Sequence, residues 1–158
     1  MSLLSANLAA RLIDGSLPWD RSTQLHIDTF LRLYTLHDSY WIGMHTNCGW
    51  EDTAVVAIRF DSVWNSSVSF PTSLVADWPL LFLRFNPVNT IRFSGFRDNG
   101  GVQRGISSAT VEHVSDEEAI TMISDHYGAF VSLQHFPLID ALAMSANEDV
   151  LELPGSRA

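Results

Sequence analysis

The chain of 158 residues contains no lysine, so its nine positive charges are all arginines, set against eighteen carboxylates. Without lysine it has no residue for Schiff-base catalysis, for a phosphate-binding loop or for a kinase-type ATP site. GC-rich coding also explains arginine in place of lysine, but the chemical exclusions hold for either cause. The net charge of −9 repels nucleic acid and anionic membranes and favours a basic partner. We therefore predict neither a nucleic-acid partner nor a membrane partner.

Cysteine and long apolar runs are also scarce. Cys48 is the only cysteine and cannot form an internal disulfide, which favours a reducing compartment and predicts a cytoplasmic protein. The N-terminal residues lack the basic leader of a signal peptide, and no stretch approaches the roughly 18 consecutive apolar residues of a membrane span. A chain of this length can bury about 70% of its unfolded surface. We expect a single soluble domain over residues 1–158.

The N-terminal part, about residues 2–38, has the apolar spacing of helices. Leucines from Ser2 to Ile13 fall on one helical face, which predicts a first helix. A second helix is predicted from a cap at Asp20 or Ser22 to about His37, because its apolar residues recur close to the helical period.

The part from about residue 40 to residue 153 has the pattern of short strands. Alternation between Asp52 and Asp61 predicts a half-buried strand. Leu80–Phe85 and Thr90–Phe96 are rich in branched and aromatic residues, and the turn residues between them predict a hairpin. The turn Asp98–Gly101 then joins the strand Thr90–Phe96 to another strand at about 103–114. Further strands are predicted at 119–124, 129–136 and 149–153, with one or two helical turns at 138–144 and a capping box or an acidic turn at 115–118.

These elements predict an α+β fold. One or two N-terminal helices pack on a twisted antiparallel sheet of about seven strands, with a half-barrel as one form of that sheet. The connections between strands are mostly too short for the crossover helices of a parallel sheet.

His37-Asp38-Ser39 has the residue types of a catalytic triad. Neighbouring side chains in an extended segment point to opposite faces, and no strained serine turn is present, so adjacency does not make a triad. The structural alternative is that Asp38 and Ser39 bond free backbone groups at the end of the second helix. We predict no catalytic residues from this motif.

Histidines supply the candidate metal ligands, but their spacing is not that of a metal motif. His126 and His135 lie on successive predicted strands, so they are the pair that the fold can bring together. We expect histidines that pack in the sheet, and predict no metal and no cofactor. The full set of candidate ligands is His37, Asp38, His45, His113, His126 and His135.

Tryptophans next to carboxylates form the candidate partner-binding surface. Large aromatic groups in loops either seal the edge of a core or anchor a partner, and acidic neighbours favour a cationic one. The loop with Trp50, Glu51 and Asp52 is the preferred contact because both carboxylates flank the indole. The other candidate residues are Asp61, Trp64, Asp77 and Trp78.

The run from Phe30 to Gly43 contains the step Leu36-His37-Asp38-Ser39. It resembles a pattern in small bacterial proteins in which a helix ends at such a step and enters a β-rich domain. Several of those proteins are regarded as immunity proteins of polymorphic-toxin systems. The similarity covers about a tenth of the chain. It implies a bacterial binding protein and carries no catalytic residue.

The favoured function is therefore a non-enzymatic protein-binding module, such as an immunity protein that neutralises a basic bacterial toxin. One alternative is a small-molecule-binding or hydrolytic protein that uses a cavity of the curled sheet. Another is a structural or assembly subunit, and a homodimer is compatible with either the binding or the assembly interpretation.

Overall fold

The computed structural model describes residues 4–47, 52–61, 79–95, 104–145 and 147–153. It confirms the α+β class, with two α-helices and ten antiparallel strands rather than about seven. The helices are α1 (Ala6–Asp14) and α2 (Ile27–Leu33), and a 3₁₀ turn covers Trp19–Arg21. The strands are β1 (Thr23–His26), β2 (Tyr40–Thr46), β3 (Ala54–Arg59), β4 (Leu80–Phe85), β5 (Val88–Ser94), β6 (Arg104–Ser115), β7 (Glu118–Asp125), β8 (Phe130–His135), β9 (Leu138–Met144) and β10 (Val150–Leu151).

The strands form one sheet in the order β1-β9-β4-β3-β2-β6-β7-β8-β5, with β10 also paired to β9. Within the described residues this sheet is open. We call β1, β2, β3, β4, β9 and β10 the inner half, and β5, β6, β7 and β8 the outer half. The two halves are joined where Tyr40 and Trp41 of β2 pair with Gly105 and Arg104 of β6.

Strands β3 and β4, near the centre of the inner half, are buried on both faces. Every residue of β3 is buried, and its side chains alternate between two apolar clusters. Val55 and Ala57 pack against α1, whereas Val56 and Ile58 point into the main core. The prediction of a half-buried strand at 52–61 was therefore wrong about one face, because α1 covers the side that was expected to meet water.

Helix α1 begins and ends at capping residues. The Ser5 hydroxyl accepts a hydrogen bond from the Leu8 N–H, and Gly15 closes the helix at φ 78°. The helix therefore starts at Ala6 and not at Ser2. Leu8 and Leu12 are buried against the inner half, one turn apart on the same helical face.

The main core lies between α2 and the two halves of the sheet. It combines Phe30 of α2 with Leu83 and Phe85 of the inner half and with Ile123 and Leu133 of the outer half, all of them 0–1% exposed. Because both halves contribute to one core, they stay together although, among the described residues, the ladder between β2 and β6 has only two residue pairs.

The second helix is much shorter than predicted. Residues Thr23–His26 form β1, which pairs with β9, and the helix starts at Ile27. Its N-cap is His26, not Asp20 or Ser22. The apolar spacing of these residues is compatible with a helix, but their hydrogen bonds with β9 make them a strand. The local sequence does not reveal that pairing.

The predicted hairpin between the fourth and fifth strands was also wrong. β4 pairs with β3 and β9, whereas β5 pairs with β8, so the Asn86–Pro87 step carries the chain from the inner half to the outer half. The turn predicted at 98–101 lies outside the described residues. Residues 138–144 form strand β9 rather than helical turns, because β1, β4 and β10 all pair with them.

Other predictions in the C-terminal part of the chain were confirmed. Residues 116–117 are an acidic turn between β6 and β7, so they do not cap a helix. Strand β6 also has a register shift between Ile106 and Ser108, close to Gly105. The strands at 119–124, 129–136 and 149–153 correspond to β7, β8 and β10. Over the part of the chain that the structure describes, neither helix is long and apolar enough to cross a membrane.

Candidate functional site

The outer half leaves one face of its sheet open to solvent. In β7 and β8, Ala119, Thr121, Ile123, Val131 and Leu133 point into the core, so the residues between them face outward. The strand registers arrange the outward residues in three rows that run from β6 to β5. The rows are Glu112–Ile120–Gln134–Thr90, Thr110–Met122–Ser132–Arg92 and Ser108–Ser124–Phe130–Ser94.

A groove of about 510 Å³ lies on this face. Ile120, Met122 and Phe130 form an apolar diagonal across its floor, and polar side chains from β5, β6 and β8 surround them. Met122 is 37% exposed, which is high for a thioether side chain. Arg92 lines the groove on the β5 side and Glu112 lines it on the β6 side.

Carboxylates gather at one end of the groove. Asp116 and Glu117 are exposed in the β6–β7 turn, and Glu118 and Glu112 follow on the outward face. Asn89 at the start of β5 donates a hydrogen bond to Glu118, and the Asp52 carbonyl accepts one from Val88 N–H. We call Asp52, Glu112, Asp116, Glu117 and Glu118 the acidic rim.

Large apolar side chains are also concentrated on the outer half. Six are exposed within the described residues, and only Ile13 of α1 lies elsewhere. The other five are Phe93 at 55%, Val114 at 53%, Met122 at 37%, Tyr127 at 85% and Phe136 at 39%.

The predicted partner-binding residues have different outcomes. Asp52 is exposed, and its backbone adopts φ 59°, a left-handed conformation that aspartate tolerates. Asp61 is only 2% exposed, and its N–H donates to the Ser39 hydroxyl, so it does not offer a partner a surface charge. The remaining predicted residues lie outside the described part of the chain: Trp50, Glu51, Trp64, Asp77 and Trp78.

The His37-Asp38-Ser39 step does not end helix α2, which stops at Leu33. Instead, Asp38 N–H donates to the Ile106 carbonyl of β6, and the buried Ser39 hydroxyl accepts from Asp61 N–H. The serine faces inward while the carboxylate lies at the surface. The structural interpretation was therefore wrong about what Asp38 and Ser39 bond, since their partners are Ile106 and Asp61 and not the end of α2.

Asp38 lies between two imidazoles. His126 Nε2 is 3.1 Å from one carboxylate oxygen and His37 Nε2 is 3.4 Å from the other. His37 Nδ1 donates to the Ser107 carbonyl at 2.9 Å, which fixes its ring. A Cβ on Gly105 would lie 3.1 Å from the His126 ring, so this glycine leaves space for the imidazole.

A second cluster of the same composition lies at the other end of α2. The Asp28 carboxylate is 2.9 Å from His26 Nδ1 and 2.5 Å from His113 Nε2, and the two imidazole rings stack. All three side chains are 43–44% exposed. The Asp28 cluster connects the start of α2 to β6. The Asp38 cluster connects the segment after α2 to β6 and to the turn after β7, so both clusters have a structural role.

His135 does not join His126 at a metal site. His135 is 0% exposed, its Nδ1 is 2.7 Å from the Phe136 carbonyl and its Nε2 is 2.7 Å from the Thr121 hydroxyl. His126 is occupied at Asp38, on the surface. The described residues contain no group of three or more ligands that could hold a metal ion.

Burial lowers the pKa of His135 below its usual 6.5, although the hydrogen bond to the Phe136 carbonyl opposes this shift. The unfolded chain therefore binds a proton at a higher pH than the folded chain does. As the pH falls below about 6.5, protonation of the unfolded state lowers the free energy of unfolding, and this loss ends below the folded-state pKa. We expect wild type to lose stability relative to His135→Gln between pH 7.5 and pH 5, as measured by urea unfolding. A constant difference between the two proteins would contradict the neutral, buried histidine.

Comparison with protein-family models, with curated proteins and with solved structures finds no match to this chain. The assignment of the candidate site therefore rests on the geometry of the groove alone.

Sequence reasoning missed the groove, although a signal for it is present. In β7 and β8 the apolar residues Ile120, Met122 and Phe130 are out of phase with the buried positions. Apolar side chains on the polar phase of a strand indicate a surface with a partner. The signal is usable only once the buried phase is known.

Proposed function

We propose that this protein is a non-enzymatic protein-binding module that captures a basic protein, as an immunity protein captures a bacterial toxin. Its binding surface belongs to the outer half of the sheet. The inner half and the helices form the scaffold that holds this surface in place.

The observation that carries this proposal is the distribution of exposed apolar side chains. Five of the six that the described residues contain lie on or beside β5–β8. Exposed apolar groups that cluster in one region, with polar residues around them, are typical of protein interfaces. Of these five, Met122 lies on the outward face, which is not needed for the core because the inward residues of β7 and β8 already fill it.

The charge of the chain supports a basic partner. The net charge is −9, and the acidic rim places five carboxylates at one end of the groove. Such a surface accelerates association with a basic protein through electrostatic steering, and apolar contacts then slow dissociation. A toxin that binds nucleic acid is basic for its own function, so an acidic inhibitor can cover its cationic cleft without catalysis.

The proposed compartment is a bacterial cytoplasm. The single cysteine is compatible with a reducing environment, and an immunity protein of this type meets its toxin where the toxin is made or delivered.

The test uses the basic toxin-like product of the gene adjacent to this one, purified and immobilised. We expect capture at micromolar concentration or below, with an association rate that falls about ten-fold or more when the salt is raised from 50 to 500 mM. Reversal of two exposed rim charges, Asp116→Arg with Glu117→Arg, should slow association by a similar factor. Coexpression should also protect cells from the toxin.

The matched control reverses two exposed carboxylates far from the outer half, Asp20→Arg with Asp149→Arg, for the same change in net charge. If the control slows association as much as the rim variant, net charge alone steers the partner and the rim is not its site. If no adjacent product binds at micromolar concentration in low salt, the immunity proposal is abandoned.

A further inference from the structure

We infer that the groove on the outer half is a directional docking site for a basic protein segment with one apolar anchor. This inference rests on the proposed function and adds where the partner sits and in which orientation. The anchor lies on Ile120, Met122 and Phe130, and the cations of the segment lie on Glu112 and Glu118.

The floor of the groove fits a single apolar side chain. Ile120 and Met122 are successive outward residues of β7, and Phe130 lies on β8 one row further along. The same rows also contain hydroxyl and amide side chains, namely those of Thr110, Ser132 and Gln134. An apolar anchor surrounded by polar groups is the arrangement of an interface centre with its rim.

The charges at the groove differ from side to side. Glu112 on β6 and Glu118 at the start of β7 lie toward the acidic end, and Arg92 lies on β5 one row away. Strand spacing of about 4.8 Å places β6 and β5 about 14 Å apart, the length of about four extended residues. A segment with arginines at one end and a carboxylate at the other therefore has one favoured orientation, which crosses the apolar diagonal between its charges.

Charge also selects the occupant. A second copy of this chain brings a net charge of −9 and presents the same carboxylates to the same face, so like charges would meet. The groove therefore favours a basic protein segment over self-association.

The experiment follows the methionine methyl groups by NMR in the full chain. There are four methionines, of which Met122 is 37% exposed in the groove and Met144 is 0% exposed in the inner half. The probe is a nine-residue peptide with two arginines at one end, a single leucine in the middle and glutamate at the other end. A second peptide has the arginines and the glutamate exchanged. We expect the first peptide to shift the Met122 methyl signal saturably, to leave Met144 unchanged, and to bind at least about ten-fold tighter than the second.

Variants test the anchor and the direction separately. Met122→Ser should weaken binding about ten-fold or more, as followed on the Ile120 methyl signal, whereas Val114→Ser should not change it. Val114 is a matched control because it is exposed on the same half and does not line the groove. The triple variant Glu112→Arg, Glu118→Arg and Arg92→Glu should invert the preference between the peptides. Circular dichroism and thermal unfolding establish that each variant is folded.

Three outcomes overturn the inference. They are the absence of a Met122 shift at millimolar peptide, equal binding of the two peptides, and a Met122 shift that depends on protein concentration without peptide, which would identify a second copy as the occupant. None of them contradicts capture of a basic toxin by another surface. Failure of that capture in the preceding experiment contradicts the proposed function itself, so the two failures are distinguishable.

Discussion

Phe82→Ala should lower the free energy of unfolding by about 3–5 kcal/mol, which is comparable to the whole stability of many small domains. Phe82 is 0% exposed in β4, between Ala57 of β3 and Leu142 of β9. It belongs to the apolar cluster that holds α1 on the sheet. Loss of its ring removes buried surface and leaves a cavity that strands with neighbours on both sides cannot close. Chemical denaturation, followed by tryptophan fluorescence and circular dichroism, measures the loss.

Phe93→Ala is the control for this prediction. Phe93 is 55% exposed on β5, at the end of the strand order, so the same truncation should cost less than about 1 kcal/mol. Equal losses for the two variants would mean that the layer between α1 and the inner half is not a packed core. If Phe82→Ala lowered the free energy of unfolding less than Phe93→Ala does, the inner half would not be the better-packed half of the sheet.

Arg84→Ala should have the second-largest effect, a loss of about 2–4 kcal/mol. Arg84 Nε and Nη2 both lie 3.0 Å from the same Asp140 oxygen, and the guanidinium stacks over Trp19 at 4.3 Å. The two charged side chains are only 18% and 17% exposed. Without the arginine, the Asp140 carboxylate stays mostly buried and loses its cation. The figure lies below that of a fully buried pair because water still reaches part of both groups.

The double variant Arg84→Met with Asp140→Leu separates the ion pair from the packing. It removes both charges and keeps the apolar volume, so it should recover most of the stability that Arg84→Ala loses. Arg84→Lys should fall between the two, because an ammonium group cannot reproduce the planar stacking on Trp19. The interpretation fails if Arg84→Ala costs less than about 0.5 kcal/mol, or if the double variant is as unstable as the single one.

The sequence predicted the class of the fold because local patterns carry that information. The change of period after residue 40 and the acidic turn at 116–117 are both visible in the local sequence, and the structure has a sheet and a hairpin there. What local patterns do not carry is the identity of the neighbouring strand. Thr23–His26 and Leu138–Met144 were predicted as helix, and each is a strand because it pairs with the other.

The candidate site was less predictable than the fold. The residues around Trp50 were predicted as a partner-binding surface because aromatic and acidic residues are adjacent there in the sequence. The groove instead combines Glu112, Met122, Phe130 and Arg92, which come from four strands and meet only through their registers. Residues that form a row across neighbouring strands are far apart in the sequence, so no local sequence pattern identifies them. Asp61 follows a strand and was predicted as a surface contact, but the structure buries it. The local sequence did not indicate that burial.

The division of the sheet into two halves has a consequence for how the sequence can change over time. In β3 and β4, both faces are packed, so a substitution at almost any position alters a core and reduces stability. On the outer half, the outward phase of β6, β7, β8 and β5 can be replaced while the inward phase continues to fill the core. Under the proposed function, recognition and folding would therefore depend on largely separate sets of residues. A lineage whose partner diversifies can rewrite the three outward rows and retain the scaffold beneath them.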